Sequence, residues 1–216
     1  MKISTKLNDL LKVEHPIMLA GMAGVAYSEV CAAVSNAGGY GTLGAANMSV
    51  KEISEEAKKV RELTDKPFGI DLLSPVPDQL EKGVDAIIDS GASSFIAGLG
   101  VPFPIIEKLH NAGLLVISMC GTVNHAIKAE EAGCDIVVAQ GTEAGGHTGK
   151  IGGMALIPQV VDAVKIPVVA AGSIIDGRGL AAALAFGAVG VWVGTRFIMS
   201  NEAHACLLYT SDAADD

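Results

Sequence analysis

Glu131-Ala-Gly-Cys-Asp-Ile-Val-Val138 reads as the last turn of a helix, a glycine, and a short apolar strand. Glycine takes the left-handed conformation that ends a helix without steric penalty. The apolar run behind it suits a strand buried on both faces. The same phrase recurs in Ser35-Asn-Ala-Gly-Gly-Tyr-Gly-Thr-Leu43, Ser90-Gly-Ala-Ser-Ser-Phe-Ile-Ala97, Asn111-Ala-Gly-Leu-Leu-Val-Ile117 and Phe186-Gly-Ala-Val-Gly-Val-Trp-Val193.

Such runs number eight along the chain: Ile17–Ala20, Gly41–Ala45, Phe68–Leu72, Ser94–Ala97, Leu115–Ser118, Ile136–Ala139, Val168–Ala171 and Val191–Gly194. Helical candidates lie between them at Val50–Leu63, Pro77–Ser90, Pro104–Asn111, Asn124–Ala132, Ile157–Val164 and Gly177–Phe186. Alternating strand and helix implies parallel strands joined by crossover helices, because parallel neighbours cannot be linked by a tight hairpin. Eight strands close a small barrel filled by side chains, whereas doubly wound sheets commonly use about five or six. The expected fold is therefore an α/β (β/α)8 barrel, the TIM barrel, over residues 1–205. Beyond Met199 the pattern dissolves and an eighth crossover helix is barely begun. The barrel is expected to be truncated after strand eight, with residues 206–216 an irregular tail, non-native or disordered.

The 216 residues, 50% of them hydrophobic, can bury one sizeable core. A net charge of −9 and a pI near 5.0 argue against a nucleic-acid partner, which needs a Lys/Arg surplus to neutralise phosphates. A small-molecule substrate is expected instead, for the chain alone or as a homodimer. Met1-Lys-Ile-Ser-Thr-Lys-Leu-Asn8 lacks the apolar core and cleavage site of a secretory signal, and no apolar run approaches the roughly 20 residues of a membrane span. Cys31, Cys120, Cys134 and Cys206 are widely separated, so neither a zinc site nor a disulfide framework is signalled. Reduced, buried thiols in a cytoplasmic protein are the expectation.

In such a barrel the active site lies at the C-terminal ends of the strands. After strands seven and eight stand two Gly-polar pairs, Gly172-Ser173 and Gly194-Thr195, with Gly177 and Gly179 close behind. Amides bared by glycine, hydroxyls and a helix N-terminus can cradle a phosphate, although the same glycines also serve tight turns. Gly141-Thr-Glu-Ala-Gly-Gly-His-Thr-Gly149 follows strand six. Gly145 and Gly146 let backbone approach a flat ligand, and His147 can act there as a base or hydrogen-bond donor near neutral pH. Glu143 can accept from a backbone amide or from His147. Lys150 reads as a surface lysine, and His15, His110, His125 and His204 as solvated or capping residues. Asp71 ends a buried strand, where an unpaired carboxylate is costly, so it should meet a donor from ligand or protein. No HExxH, paired-Cys or clustered-carboxylate pattern suggests a metal.

Pro16-Ile-Met-Leu-Ala-Gly-Met-Ala23, Gln140-Gly-Thr-Glu-Ala-Gly-Gly-His-Thr-Gly149, Pro167-Val-Val-Ala-Ala-Gly-Ser-Ile-Ile-Asp-Gly-Arg-Gly179 and Gly194-Thr-Arg-Phe197, in this order, resemble the nitronate monooxygenase family. Flavin-dependent enoyl-acyl-carrier-protein reductases of the same superfamily are similar in each segment. The resemblance implies FMN, with its phosphate on Gly172, Ser173, Gly194 and Thr195 and its ring near Ala20, Gly21, Met22, Asp71, Gln140 and Gly145. Gly141, Gly146, Trp192 and Val193 complete the implied cofactor set. It also implies His147 as the catalytic residue beside the flavin. The implied reaction is oxidation of an alkyl nitronate with oxygen; reduction of an enoyl thioester by NAD(P)H and a flavin-free phosphate-binding barrel are the alternatives. The chain departs from the family pattern at Ser173, where a second glycine is common, at Trp192, commonly polar, and at Asp71, often Asn. An aspartate cannot donate as asparagine does unless protonated.

Overall fold

The helix-ending glycines set the architecture. Gly38, Gly91, Gly113, Gly133 and Gly187, one from each repeated phrase, have φ of +88°, +76°, +80°, +98° and +89° in the computed structural model. Each stands between a helix and the next strand, where a side chain would be strained. The structure describes residues 3–73 and 77–205.

The strands are β1 (Ile17–Leu19), β2 (Gly41–Gly44), β3 (Phe68–Leu72), β4 (Ser94–Ala97), β5 (Leu115–Cys120), β6 (Ile136–Gln140), β7 (Val168–Ala171) and β8 (Gly190–Val193). All pair in parallel, in the order β1-β8-β7-β6-β5-β4-β3-β2. The circle closes through a bridge between Met18 and Tyr40, where Leu19 N donates to Tyr40 O and Tyr40 N to Ile17 O, both at 2.9 Å. The expected eight-stranded α/β barrel is thus what forms.

The helices are α1 (Lys6–Leu11), α2 (Ser28–Asn36), α3 (Val50–Leu63), α4 (Pro77–Asp89), α5 (Ile106–Asn111), α6 (Val123–Ala132), α7 (Gly153–Ala163), α8 (Gly177–Ala185) and α9 (Thr195–Ile198). Three of them, α1, α2 and α9, were not among the expected elements. α7 begins four residues before the expected Ile157 and carries Pro158 within it. The tail expected at 206–216 lies outside the described residues.

Alternation along the strands sorts the core into two clusters. Leu43, Ile70, Phe95, Val137, Ala170 and Val193 point outward onto the helices. Met18, Tyr40, Ile96, Ile136, Val169 and Trp192 fill the barrel. α1 plugs the N-terminal end, its Leu7 and Leu11 joining the inner cluster. A Cβ on Gly190 would overlap Leu7, and the Thr5 hydroxyl donates to Val189 O at 2.5 Å. With one end sealed by apolar side chains, ligand access is left to the other. Cys31, Cys120 and Cys134 are buried free thiols, and burial pushes each thiol up from its ordinary range. Among the described residues, no helix is long and apolar enough to cross a membrane.

Candidate active site at the barrel mouth

Because every strand runs parallel, all eight C-terminal ends open on one rim. At β1, Ala20 is buried and its N–H donates to Val193 O at 2.8 Å, tying the end of β1 to β8. Gly21 and Met22 follow. A Cβ on Gly21 would overlap the Asp71 carboxyl, and one on Gly98, beyond β4, would sit 2.9 Å from Asp71 Oδ1. Asp71 faces into the barrel, as alternation with the outward Ile70 and Leu72 requires. It is 8% exposed, and no hydrogen bond reaches its carboxyl among the described residues. Burial pushes it up to about 8, so the neutral acid predominates at pH 7. Among the described residues, none supplies the donor expected for it.

The loop after β6 is a strap fixed at both ends. Gln140 Nε2 donates to Gly145 O at 3.1 Å, and Thr142 N to Ile151 O at 3.0 Å. The Glu143 carboxylate accepts from Gly153 N at 2.9 and 3.0 Å, capping the start of α7. Of the two partners open to Glu143, it takes the amide. A Cβ on Gly141 would stand 2.6 Å from Gly153 N and disrupt that cap. Gly149 packs on Gly121 of the loop after β5, where a Cβ would come within 2.6 Å of Gly121 O. Between these anchors Gly145 and Gly146 face open space, Gly146 with φ +77°, and His147 is exposed beside them. Lys150 is also exposed.

At the end of β7, Gly172 has φ +118° and Ser173 φ +50°, two successive positive values that turn the backbone amides away from the strand direction. Ser173 Oγ donates to Glu143 O at 3.3 Å, joining this loop to the strap. A cavity of about 210 Å³ opens alongside, lined by Glu143, Met154, Gly172, Ser173, Ile174 and Gly179 among others. The start of α8 is taken by its own cap, Asp176 accepting from Arg178 N at 2.9 Å and pairing with its guanidinium at 2.6 Å. The N-terminus of α8 is thus already capped by its own chain. At β8, a Cβ on Gly194 would lie 3.3 Å from Met22 Sδ and 3.4 Å from Ala20 Cβ, so the β1 and β8 ends approach closely. Thr195 is exposed next to it. Trp192 is buried in the barrel interior, whereas the Val193 side chain packs outward and leaves only its backbone at the rim.

Gly98 and Gly121 also shape the rim, with no cue to that role in the sequence. Both are strand-end glycines like Gly21 and Gly172, but their partners, Asp71 and Gly149, are remote in sequence. Of the other histidines, His110 pairs with Asp135 at 2.9 Å, and His204 packs at a tilt against Tyr27 with ring centroids 4.7 Å apart.

The family described as nitronate monooxygenase matches residues 4–212. A probable nitronate monooxygenase of Staphylococcus saprophyticus is 38% identical, with 97% of this chain and 72% of that protein covered. A Rhodococcus jostii protein described as (3aS,4S,5R,7aS)-5-hydroxy-7a-methyl-1-oxo-octahydro-1H-indene-4-carboxyl-CoA dehydrogenase is 43% identical, and the match covers 93% of this chain but 56% of that protein. This chain therefore spans little more than half of that relative's length. Of solved structures, FabK from Thermotoga maritima has a TM-score of 0.93 at 38% identity, covering 97% of this chain and 67% of that one. Nitroalkane oxidase from Streptomyces ansochromogenes has a TM-score of 0.90 at 33% identity, covering 95% and 71%. With the closed parallel barrel, the glycine-bared rim and this extent of match, the chain belongs to the nitronate monooxygenase family of FMN-dependent oxidoreductases.

Proposed function

We propose that the barrel mouth binds FMN and that the chain oxidises a small alkyl nitronate with molecular oxygen, His147 serving as the proton-handling group. The observation that carries this reading is the convergence on one rim of rotated loop amides, glycines open to a flat ligand, and an exposed imidazole. The residues present fit the cofactor. Gly172 and Ser173 offer amides suited to a phosphate, Gly194 and Thr195 offer amides and a hydroxyl at the neighbouring strand end, and the approach past Gly145 and Gly146 is unobstructed. Bound FMN would supply the electron-accepting chemistry that no side chain at this rim possesses.

The protein's own part is placement and proton control. Gln140 and Glu143 hold the strap so that His147 projects at its open middle. An imidazole can take the proton from the nitro-bearing carbon when a nitroalkane is offered, and can donate a hydrogen bond to the nitronate once that proton is gone. Gly141, Gly146, Trp192 and Val193 shape the surroundings through backbone and packing. The likeness to FabK favours a second reading, reduction of an enoyl thioester by NAD(P)H. Oxygen uptake with an alkyl nitronate, run against NAD(P)H oxidation with an enoyl thioester, separates the two. Turnover of the thioester alone would overturn the first reading.

A further inference from the structure

Two polar side chains inside the barrel have no partner among the described residues. Thr42 Oγ1, inward on β2, is fully buried and makes no hydrogen bond. Asp71 lies nearer the mouth on β3, two residues beyond Gly69, the register partner of Thr42. Its carboxyl is enclosed by Gly21 from the β1 end and Gly98 from the β4 end, both without the Cβ that would collide with it. The elements packed against it are β2 through Gly44, β4 through Ile96 and Gly98, and the turn after β1. Among the described residues none of them brings a titratable or charged side chain to it, and burial alone accounts for its upward displacement.

We propose that Asp71 acts toward the bound ligand ring as a neutral carboxylic acid, donating its own O–H to an acceptor atom, so that affinity is lost as the carboxyl ionises. The inference rests on the flavin reading above and adds a protonation state to it. An ionised carboxylate here would have little solvent and, among the described residues, no donor to stabilise it, and a flat ring laid over the mouth strips away what solvent remains. The neutral acid lacks that difficulty, and apolar surroundings are known to keep a carboxylic acid protonated as a hydrogen-bond donor at pH 7. Thr42, making no bond, neither supplies nor accepts the proton, and among the described residues no other acceptor reaches the carboxyl, so the proton is available to the ligand.

The test is FMN binding to flavin-free full-length protein, followed by quenching of flavin fluorescence from about pH 6.5 to 9.5, in wild type and Asp71→Asn. Asparagine also donates but does not titrate, so its profile carries every pH-dependent contribution except that of residue 71. The ratio of wild-type to Asp71→Asn Kd is expected to rise about tenfold or more between pH 7.5 and 9.5. A ratio that stays constant, or falls, overturns the inference while leaving the flavin reading intact. No FMN binding by wild type at any pH overturns both. Carbon-13 titration of the Asp71 carboxyl in flavin-free protein supplies a readout independent of the ligand. A carboxyl already ionised at pH 6 overturns the inference, and one still protonated at pH 7 supports it.

Discussion

Replacing Asp71 with asparagine should make the flavin-free protein gain stability over wild type as the pH rises. An unfolded aspartate titrates near ~3.9, whereas burial in the barrel holds Asp71 up to about 8. Between those values the native state keeps a proton that the unfolded state has released. Stability then falls with rising pH, the opposite sign to a salt-bridged carboxylate, whose stabilisation is lost on acidification. The full linkage is ~1.4 kcal/mol per pH unit, or ~4 kcal/mol between pH 4 and 7, and asparagine removes it. The amide brings its own unmet hydrogen-bonding needs, a pH-independent penalty of ~1–3 kcal/mol. The diagnostic quantity is therefore the slope of the difference, not its value at one pH. Urea unfolding at intervals from pH 4.5 to 8.5 should show the Asp71→Asn advantage growing by at least ~2 kcal/mol, half the full linkage. A difference that stays flat across that range would refute the reasoning, since it would mean the native carboxyl ionises as it does in the unfolded chain.

His147→Ala should retain flavin but lose ~10²–10⁴-fold in kcat, the range for deleting a general acid or base; unchanged steady-state turnover would return His147 to a structural loop residue. Gly149→Ala drives a methyl toward Gly121 O and should destabilise by ~1–3 kcal/mol in urea unfolding, with turnover falling as the strap shifts. Leu7→Ala should cost ~2–5 kcal/mol by opening a cavity under the barrel floor. Leu10→Ala on the 38% exposed side of the same helix should stay within about 1 kcal/mol, and equal losses at the two positions would argue against the plug.

The barrel was legible because its signal is local and repeated. All five phrases place a left-handed glycine between helix and strand, and strand boundaries read from them agree with the structure to within two residues. What stayed hidden depends on distant partners. α7 looked like a helix from Ile157, since Gly152, Gly153 and Pro158 are poor helix residues; its true start is capped by Glu143 from ten residues upstream. α1 did carry a readable cue, the reciprocal Thr5 and Asn8 cap, but its six residues are short for a periodicity argument. α2 starts after Tyr27, which makes no side-chain cap, and is rich in small residues, so its glycine-marked end was legible but its start and its buried face were not. Within the site, the His147 loop and the two Gly-polar pairs were visible as composition. The Gly149 contact with Gly121 and the enclosure of Asp71 by Gly21 and Gly98 were not, because each joins loops from different strands.

Whether this rim holds a flavin is read from the visible spectrum of the purified protein. After incubation with FMN and removal of free ligand, the protein should keep the flavin band near ~450 nm, a property of the cofactor that the protein holds and tunes. A protein that emerges colourless from that treatment would contradict the account.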